Sequence, residues 1–374
     1  MKNQICYVPI LKWKRGEENA LKHLDESHKK FMTPFIELVM PNPKLFKDKE
    51  QKIKKSEEEI FEELISDFRN KRISQIPDEI KMAWGSSPIY IDFSLLYTIP
   101  LRIESINGII KKGLMLNLQL IPVLNLNDDE KIIKTICTNL KEERCLCLRI
   151  VQSDLLSISN LNKKIDVFFK AYKLCENNID LLVDLKDVNE TFMEYQKLLS
   201  LSQEIKNIFN WRKLIFASGA FPKDMSNCAI DKLNYLPRLD FINWQNQTKN
   251  KKLKRIPIFA DYTIRHPIYN EKAMSFSPTT SIKYTHETDW LVMKGEKQNF
   301  ILYLANANLL SEEKSIFYGE DYSFGDKYIA DKGRHYVKYM KDPKIKGTGT
   351  SETWITAGIN HHMVCTINQV ANLI

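Results

Sequence analysis

Short apolar stretches rich in β-branched residues recur along the chain, and longer segments with helical periodicity separate them. CYVPILKW (6–13), MTPFIELV (32–39), SPIYIDFSLL (87–96), LIPVLNL (120–126), RCLCLRIV (144–151), IDLLVDLK (179–186), KLIFASGAF (213–221) and IPIFADYTI (256–264) read as strands. Between them lie helical candidates. KSEEEIFEELISDFRNKR (55–72) carries an i, i+3, i+4 apolar stripe, and residues 127–141, 160–177 and 189–205 follow the same pattern. Eight strands alternating with helices imply parallel pairing through right-handed crossovers. An α/β fold closed as a (β/α)8 TIM-like barrel is the simplest result. An open doubly wound sheet is the alternative, but no G-x-G-x-x-G follows the first strand and the chain has only 12 glycines.

Beyond the eighth strand, residues 280–296 alternate around the polar turn THETD and predict a β-hairpin. The tail predicts a last helix opening near Asn360, His361 and His362. No Gly/Ser- or Pro-rich linker divides the chain. The expectation is therefore one domain over 1–374, with eight βα units in 1–267. Residues 268–374 are expected to return as hairpin, loop and terminal helix that cover the barrel mouth.

The first strand runs straight into Lys12, Lys14, Arg15 and Glu17. The other strands end alike: Glu37, Asp92, Asn125 and Asn127, Arg149, Asp184, Ser218 and Asp261, whereas their beginnings are mostly Pro, Ile, Leu and Thr. Solvated exits would place polar residues at both ends. In a barrel of this type the C-terminal strand ends form the site, so the asymmetry predicts a ring of polar groups at one mouth. Carboxylates Glu37, Asp92, Asp184 and Asp261 could hold a divalent cation such as Mg²⁺, or could pair with Lys12, Arg15 and Arg149. Lys12, Lys14 and Arg15 suit a phosphate or carboxylate ligand. No P-loop, nucleophile elbow, H-E-x-x-H or EF-hand pattern is present.

Composition narrows the class without naming a reaction. At 43% hydrophobic and 27% charged residues this is ordinary globular material, and no apolar run reaches the roughly 20 residues of a membrane span. The seven scattered cysteines and the lack of a signal-peptide pattern predict reduced thiols in a cytoplasm. The net charge of +8 is modest, and the lysine clusters at 44–55, 249–255 and 341–347 lack the aromatic interleaving of a stacking platform. Four of seven histidines, His266, His286, His361 and His362, fall in the last third near Asp261 and Arg265, which makes His266 and His361 candidate proton carriers. Adjacent helical histidines point about 100° apart, so His361 and His362 should not share one site.

The opening YVPILKWKRGE, the strand TPFIEL, DYTIRHP, IKYT with DWLVMKG, FGDKYIA and ETWITAGINHH resemble the phage beta protein family, in register from about residue 6 to 368. That family is named after a beta protein of T-even phages and occurs widely in bacteria. The resemblance implies that its polar motif positions are Lys12, Arg15, Glu17, Glu37, Asp92, Asp261, His266, Tyr284, Trp290, Gly325, Asp326, Trp354, Asn360 and His361. It also implies a place in bacterial phage-defence loci. Family members usually carry a neutral polar residue near Arg265. Two expectations follow. In the first, the mouth takes a phosphorylated ligand, a nucleotide or nucleic acid. Lys12, Lys14, Arg15, Glu17, Arg149, Asp184, Tyr284, Trp354 and Asn360 would bind it, and Glu37, Asp92, Asp261, His266 and His361 would act in phosphate-ester hydrolysis or phosphoryl transfer. In the second, the barrel is a non-catalytic recognition subunit for a phage protein, a nucleic acid or a partner encoded in the same locus, its mouth an ion-paired plug.

Overall fold

The computed structural model describes residues 6–41, 56–140, 145–188, 192–249, 252–269, 279–343 and 347–373. Eleven strands appear among them: β1 (Tyr7–Lys12), β2 (Phe35–Glu37), β3 (Ile89–Asp92), β4 (Leu120–Asn125), β5 (Leu146–Val151), β6 (Ile179–Asp187), β7 (Lys213–Gly219), β8 (Leu233–Pro237), β9 (Ile258–Asp261), β10 (Thr279–His286) and β11 (Asp289–Lys297). Eight of them close a barrel in the order β1-β2-β3-β4-β5-β6-β7-β9, every pair parallel. This is the (β/α)8 fold expected from the sequence; seven barrel strands fall inside the predicted stretches and β6 runs one residue beyond its own, to Asp187.

Flanking helices are α1 (Arg15–Lys22), α2 (Glu26–Lys29), α3 (Glu57–Asp67), α4 (Ile73–Ala83), α5 (Ile99–Met115), α6 (Glu130–Asn139), α7 (Gln152–Leu155), α8 (Ile158–Tyr172), α9 (Phe192–Ser202) and α10 (Leu239–Thr248). Helix α3 opens with a capping box: the Glu59 amide donates to Ser56 Oγ at 3.1 Å and the Ser56 amide to Glu59 Oε2 at 2.7 Å. The predicted helix over 55–72 ends instead in a π-helical turn, Phe68–Arg72, which leads into α4. The tail holds α11 (Ile301–Glu312), α12 (Phe324–Lys341) and α13 (Ser351–Ala371).

Strand parity divides the apolar residues into two shells. Val8, Ile10, Phe35, Tyr90, Val123, Cys147, Leu182, Ile215, Ala217 and Ala260 fill the barrel interior. Their neighbours Tyr7, Leu11, Ile36, Ile91, Leu148, Val183, Phe216 and Phe259 face the helices. At the N-terminal end of the barrel the inward Asp180 accepts from the Tyr90 hydroxyl at 2.6 Å and from Arg212 Nε at 2.8 Å, a pairing with no forewarning in the sequence pattern.

The predicted hairpin is β10–β11, and β8 joins it to make a three-stranded antiparallel sheet, β10-β11-β8. Helix α13 packs against α1, β10 and α12. Its first turn is capped by Thr350 Oγ1 accepting from the Thr353 amide at 3.2 Å. The helix therefore begins well before Asn360, His361 and His362, which lie mid-helix and fully buried, not at its start as the sequence pattern implied.

Candidate functional site

Inward parity carries six charged groups to the C-terminal end of the barrel. Register places Lys12 beside Glu37 and Glu37 beside Asp92. Arg149 on β5 reaches across the interior and organises them. Its Nε donates to Asp184 Oδ2 at 2.9 Å, one Nη to Asp92, and the other Nη to Asp184 and to Glu37 at 2.9 Å. The Tyr262 hydroxyl lies 3.0 Å from that Nη and donates to Asp184 at 2.6 Å. Lys12 pairs with Glu37 Oε2, and Lys186 reaches Glu37 Oε1 at 3.2 Å and Asp184 at 3.5 Å. The ammoniums of Lys12 and Lys186 both lie over the Tyr262 ring, at 5.0 and 5.1 Å. Three cations thus meet three carboxylates in a nearly buried cluster, in which Lys186 keeps the most solvent contact, its side chain 32% exposed.

The electrostatics follow from this packing. Burial alone would raise the Glu37 carboxyl, but Lys12, Lys186 and Arg149 outweigh it and hold Glu37 well below the usual carboxylate range. Asp184 is lowered in the same way, burial being overcome by Lys186 and Arg149. Burial pushes the Lys12 ammonium down, and Glu37 offsets that only in part. Among the described residues no three His, Cys, Asp or Glu side chains are placed to hold a metal ion. Glu37, Asp92 and Asp184 instead converge on the guanidinium they share. The backbone is strained here: Lys186 has φ +60° and the buried, β-branched Thr263 has φ +57°.

Several candidates lie elsewhere. Asp261 was expected in the mouth, but it stands one residue out of parity, and Tyr262 takes the inward place. Its carboxylate faces the outer wall, where it accepts from the Tyr7 hydroxyl at 2.6 Å and meets His362 Nε2 at 2.9 Å. Arg15 projects into solvent with its side chain 80% exposed, 3.5 Å from Glu352. Glu17 is buried on α1 and pairs with Arg265 at 3.0 Å, which gives that arginine a structural partner. Lys14 sits over the Tyr269 ring at 4.8 Å. Asn125 hydrogen-bonds to Asp128, Asn127 is exposed, and Ser218 faces outward. His266 Nδ1 contacts the Phe221 carbonyl at 3.0 Å. The lysine cluster at 44–55 lies outside the described residues.

The tail candidates form a second buried cluster. Asp326 accepts from the Tyr284 hydroxyl at 2.8 Å and from Ser323 at 2.5 Å, and it meets His361 Nδ1 at 2.7 Å. His361 Nε2 lies 2.7 Å from the Thr285 carbonyl, so both ring nitrogens face acceptors. The Thr285 hydroxyl meets His362 Nδ1 at 2.8 Å. The two histidines therefore meet different carboxylates, Asp326 and Asp261, but share Thr285, one through its carbonyl and the other through its hydroxyl. Asn360 donates to the Ala20 carbonyl at 3.0 Å and accepts from the Gly325 amide at 3.2 Å, joining α1, α12 and α13. Gly325 is required at that crossing, because a Cβ there would lie 2.2 Å from the Ala357 carbonyl oxygen. Trp354 stacks on Tyr303 at 5.0 Å and Trp290 packs edge-on to Phe221 at 5.1 Å. Among the described residues, none from 280 to 362 hydrogen-bonds to the Arg149 network.

Lys186, Tyr262, Tyr7, Thr285 and His362 escaped the sequence reading as site residues. Counting inward in twos from Asp184 and Ala260 would have found the first two.

Comparison with known proteins agrees with the sequence resemblance. No curated protein matches the chain. Among solved structures the biosynthetic arginine decarboxylase of Campylobacter jejuni is similar at 13% identity and a TM-score of 0.36, over 99% of this chain and 57% of that one. A likeness that weak carries no argument, and the barrel rests on its strand pairing. The profile of the Beta protein family matches residues 7–368, nearly the whole chain. The chain belongs to the Beta protein family.

Proposed function

We propose that the barrel mouth is a recognition site for an anionic, phosphate-bearing ligand, such as a nucleotide or a nucleic-acid end, and that the protein serves in anti-phage defence. The observation that carries this reading is the convergence of Lys12 and Lys186 on one Tyr262 ring and one carboxylate, Glu37, at the C-terminal end of a (β/α)8 barrel. That end is where such barrels bind their ligands. A buried ionic cluster is a weak stabiliser, and apolar residues of similar volume often do better. Keeping six charges there, beside two strained backbone positions, supports a role beyond closing the barrel. Arg149 would brace the carboxylates, and the two lysines would face the ligand.

Glu37 and Asp184 are held ionised far below neutrality and would be weak general bases. This favours binding or sensing over hydrolysis. A second reading, a recognition or scaffold subunit for a partner protein or nucleic acid, is favoured by the complete pairing of three cations with three carboxylates. Thermal shift with nucleoside mono-, di- and triphosphates, with and without Mg²⁺ or Mn²⁺, separates the two. A ligand at a hundred times its Kd stabilises by about 2.7 kcal/mol. The first reading requires such a shift in the wild type and its loss in Lys186→Met. A panel without any shift would leave only the second.

A further inference from the structure

We infer that Asp240 and Arg238 form a proton-operated latch between the barrel and its tail. While Asp240 is protonated, Arg238 stays bound to the tail; once ionised, Asp240 competes for the same guanidinium. Among the described residues neither side chain bonds to the Arg149 network, so the latch stands apart from the reading of the mouth.

Arg238 is fully buried where the chain leaves β8 for α10, the helix that packs on β7 and β9. Its side-chain hydrogen bonds among the described residues all run to the tail. One Nη donates to the Glu287 carbonyl at 3.0 Å and to Gln369 Oε1 at 2.7 Å, and the other donates to the Thr366 hydroxyl at 2.9 Å. Its Nε has no partner among the described residues. Two residues on, Asp240 is buried in the first turn of α10. Its Oδ1 accepts from the Phe241 amide at 2.8 Å, and its Oδ2 has no partner among the described residues. A buried donor and a buried acceptor, each unsatisfied and each costing free energy in that state, thus lie two residues apart. Joining them satisfies both, but the planar guanidinium then turns and gives up its donors to Glu287, Thr366 and Gln369.

The charges around Asp240 set which arrangement holds. Asp261 on β9, Tyr7 on β1 and Tyr195 on α9 face it, and Arg238 is the cation beside it. His362 on α13 reaches the group through Asp261, which it meets at 2.9 Å, and Arg238 lies 4.0 Å from the same carboxylate. Burial first, and then Asp261, push Asp240 up to about 7. Below that pH Asp240 is neutral and places no demand on Arg238. As pH rises through it, Asp240 ionises beside Asp261, two carboxylates share one guanidinium, and the tail loses its hold. His362 works on the other side. Burial, ahead of Asp261, lowers it, so its own cost appears as pH falls below about 6.5.

The test is amide hydrogen exchange on the full chain at pH 6 and pH 8.5, corrected for the intrinsic rate, with Asp240→Asn alongside to cancel every other titration. Taking the opened carboxyl back to about 3.9, the ratio of wild-type to Asp240→Asn exchange at the end of α13 and at the β10–β11 turn should rise about 10-fold between the two pH values. The same ratio in α8, on the far side of the barrel wall, should stay constant. A second reading needs only the wild type: the Arg238 Nε–H nuclear magnetic resonance signal should shift at pH 8.5 as it gains a carboxylate partner. A ratio that does not change with pH, a rise equal in α8 and α13, or an Nε–H signal that stays in place would each overturn the latch.

Discussion

The barrel mouth and the outer clasp both bury carboxylates at strand ends, yet they hold them differently. At the mouth, inward side chains from β1, β2, β3, β5 and β6 meet around one guanidinium, and each charge has an opposite charge in contact. On the outer wall, Asp261 is bound by a tyrosine hydroxyl and a histidine, and the Thr285 hydroxyl links that histidine to the hairpin. Burial lowers the His362 imidazolium despite Asp261, whereas His362 and the Arg238 guanidinium 4.0 Å away outweigh burial and hold the Asp261 carboxyl low. The difference is one residue of strand parity. Asp261 and Tyr262 are neighbours in sequence, but one serves the helix-facing shell and the other the interior.

The sharpest way to break the comparison is at its centre. Arg149→Met should leave Glu37, Asp92 and Asp184 buried with only Lys12 and Lys186 to offset them. The expected loss is about 3–5 kcal/mol, the scale for breaking a buried ionic cluster from one side. Urea unfolding measures it. Adding Asp92→Asn and Asp184→Asn to the same chain should restore part of the loss, because two of the stranded charges are then removed. Recovery of nothing would mean that Arg149 acts through packing and not through charge.

The clasp has its own titrating neighbour. Asp240, buried on α10 with Oδ2 lacking a partner, is pushed up to about 7, first by burial and then by Asp261. A carboxyl raised in the folded state binds more protons folded than unfolded between its unfolded value, about 3.9, and about 7. Its contribution to stability therefore falls as pH rises through that window and stays low above it. Asp240→Asn removes the penalty. Its Tm minus that of wild type should climb from pH 4 to 7 and then level off, with a gain of at most about 4 kcal/mol. A flat difference would place Asp240 in an ordinary environment.

Breaking the clasp itself should cost less than breaking the mouth. His362→Gln loses the hydrogen bonds to the Asp261 carboxylate and the Thr285 hydroxyl, an expected about 1–3 kcal/mol. Because that link ties β9 to α13, the variant should also become more sensitive to limited proteolysis between the barrel and the tail. The wild type should release no stably folded fragment of residues 1–270 if the chain behaves as the single domain its sequence suggested. Release of such a fragment would show that the clasp does not unite barrel and tail.

The same parity explains what the sequence could and could not reveal. Strands with nearly continuous Ile, Val, Leu and Phe were plain, because both faces are buried and the apolar run stands out against helical segments. β8, LNYLP, did not stand out: it is short, partly exposed and ends in proline. The polar residues at strand ends were equally visible, but their direction was not. Lys12, Glu37, Asp92, Arg149 and Asp184 share the inward parity, while Asp261 and Ser218 do not. A boundary error of one residue reverses that assignment. The tail histidines could be seen as candidates, but their burial depends on α12 and β10, whose packing no local pattern encodes.

Arg15 is the smallest effect and the cleanest contrast with Arg149. The sequence grouped it with Lys12 and Lys14 as part of one cationic end to β1. In the structure β1 ends at Lys12, and Arg15 is the first residue of α1, its side chain 80% exposed and 3.5 Å from a half-exposed Glu352. An exposed pair of that kind contributes about 0–1 kcal/mol and is screened by salt. Arg15→Ala should therefore change the unfolding free energy by less than about 0.5 kcal/mol, leave any nucleotide-induced shift intact, and show no salt dependence beyond that of wild type. Lys12→Met in parallel should cost several times more, because it leaves Glu37 to Lys186 and Arg149 alone. If the two variants behaved alike, the mouth would have to extend outward past the β1 turn, and its ligand would be larger than a single nucleotide.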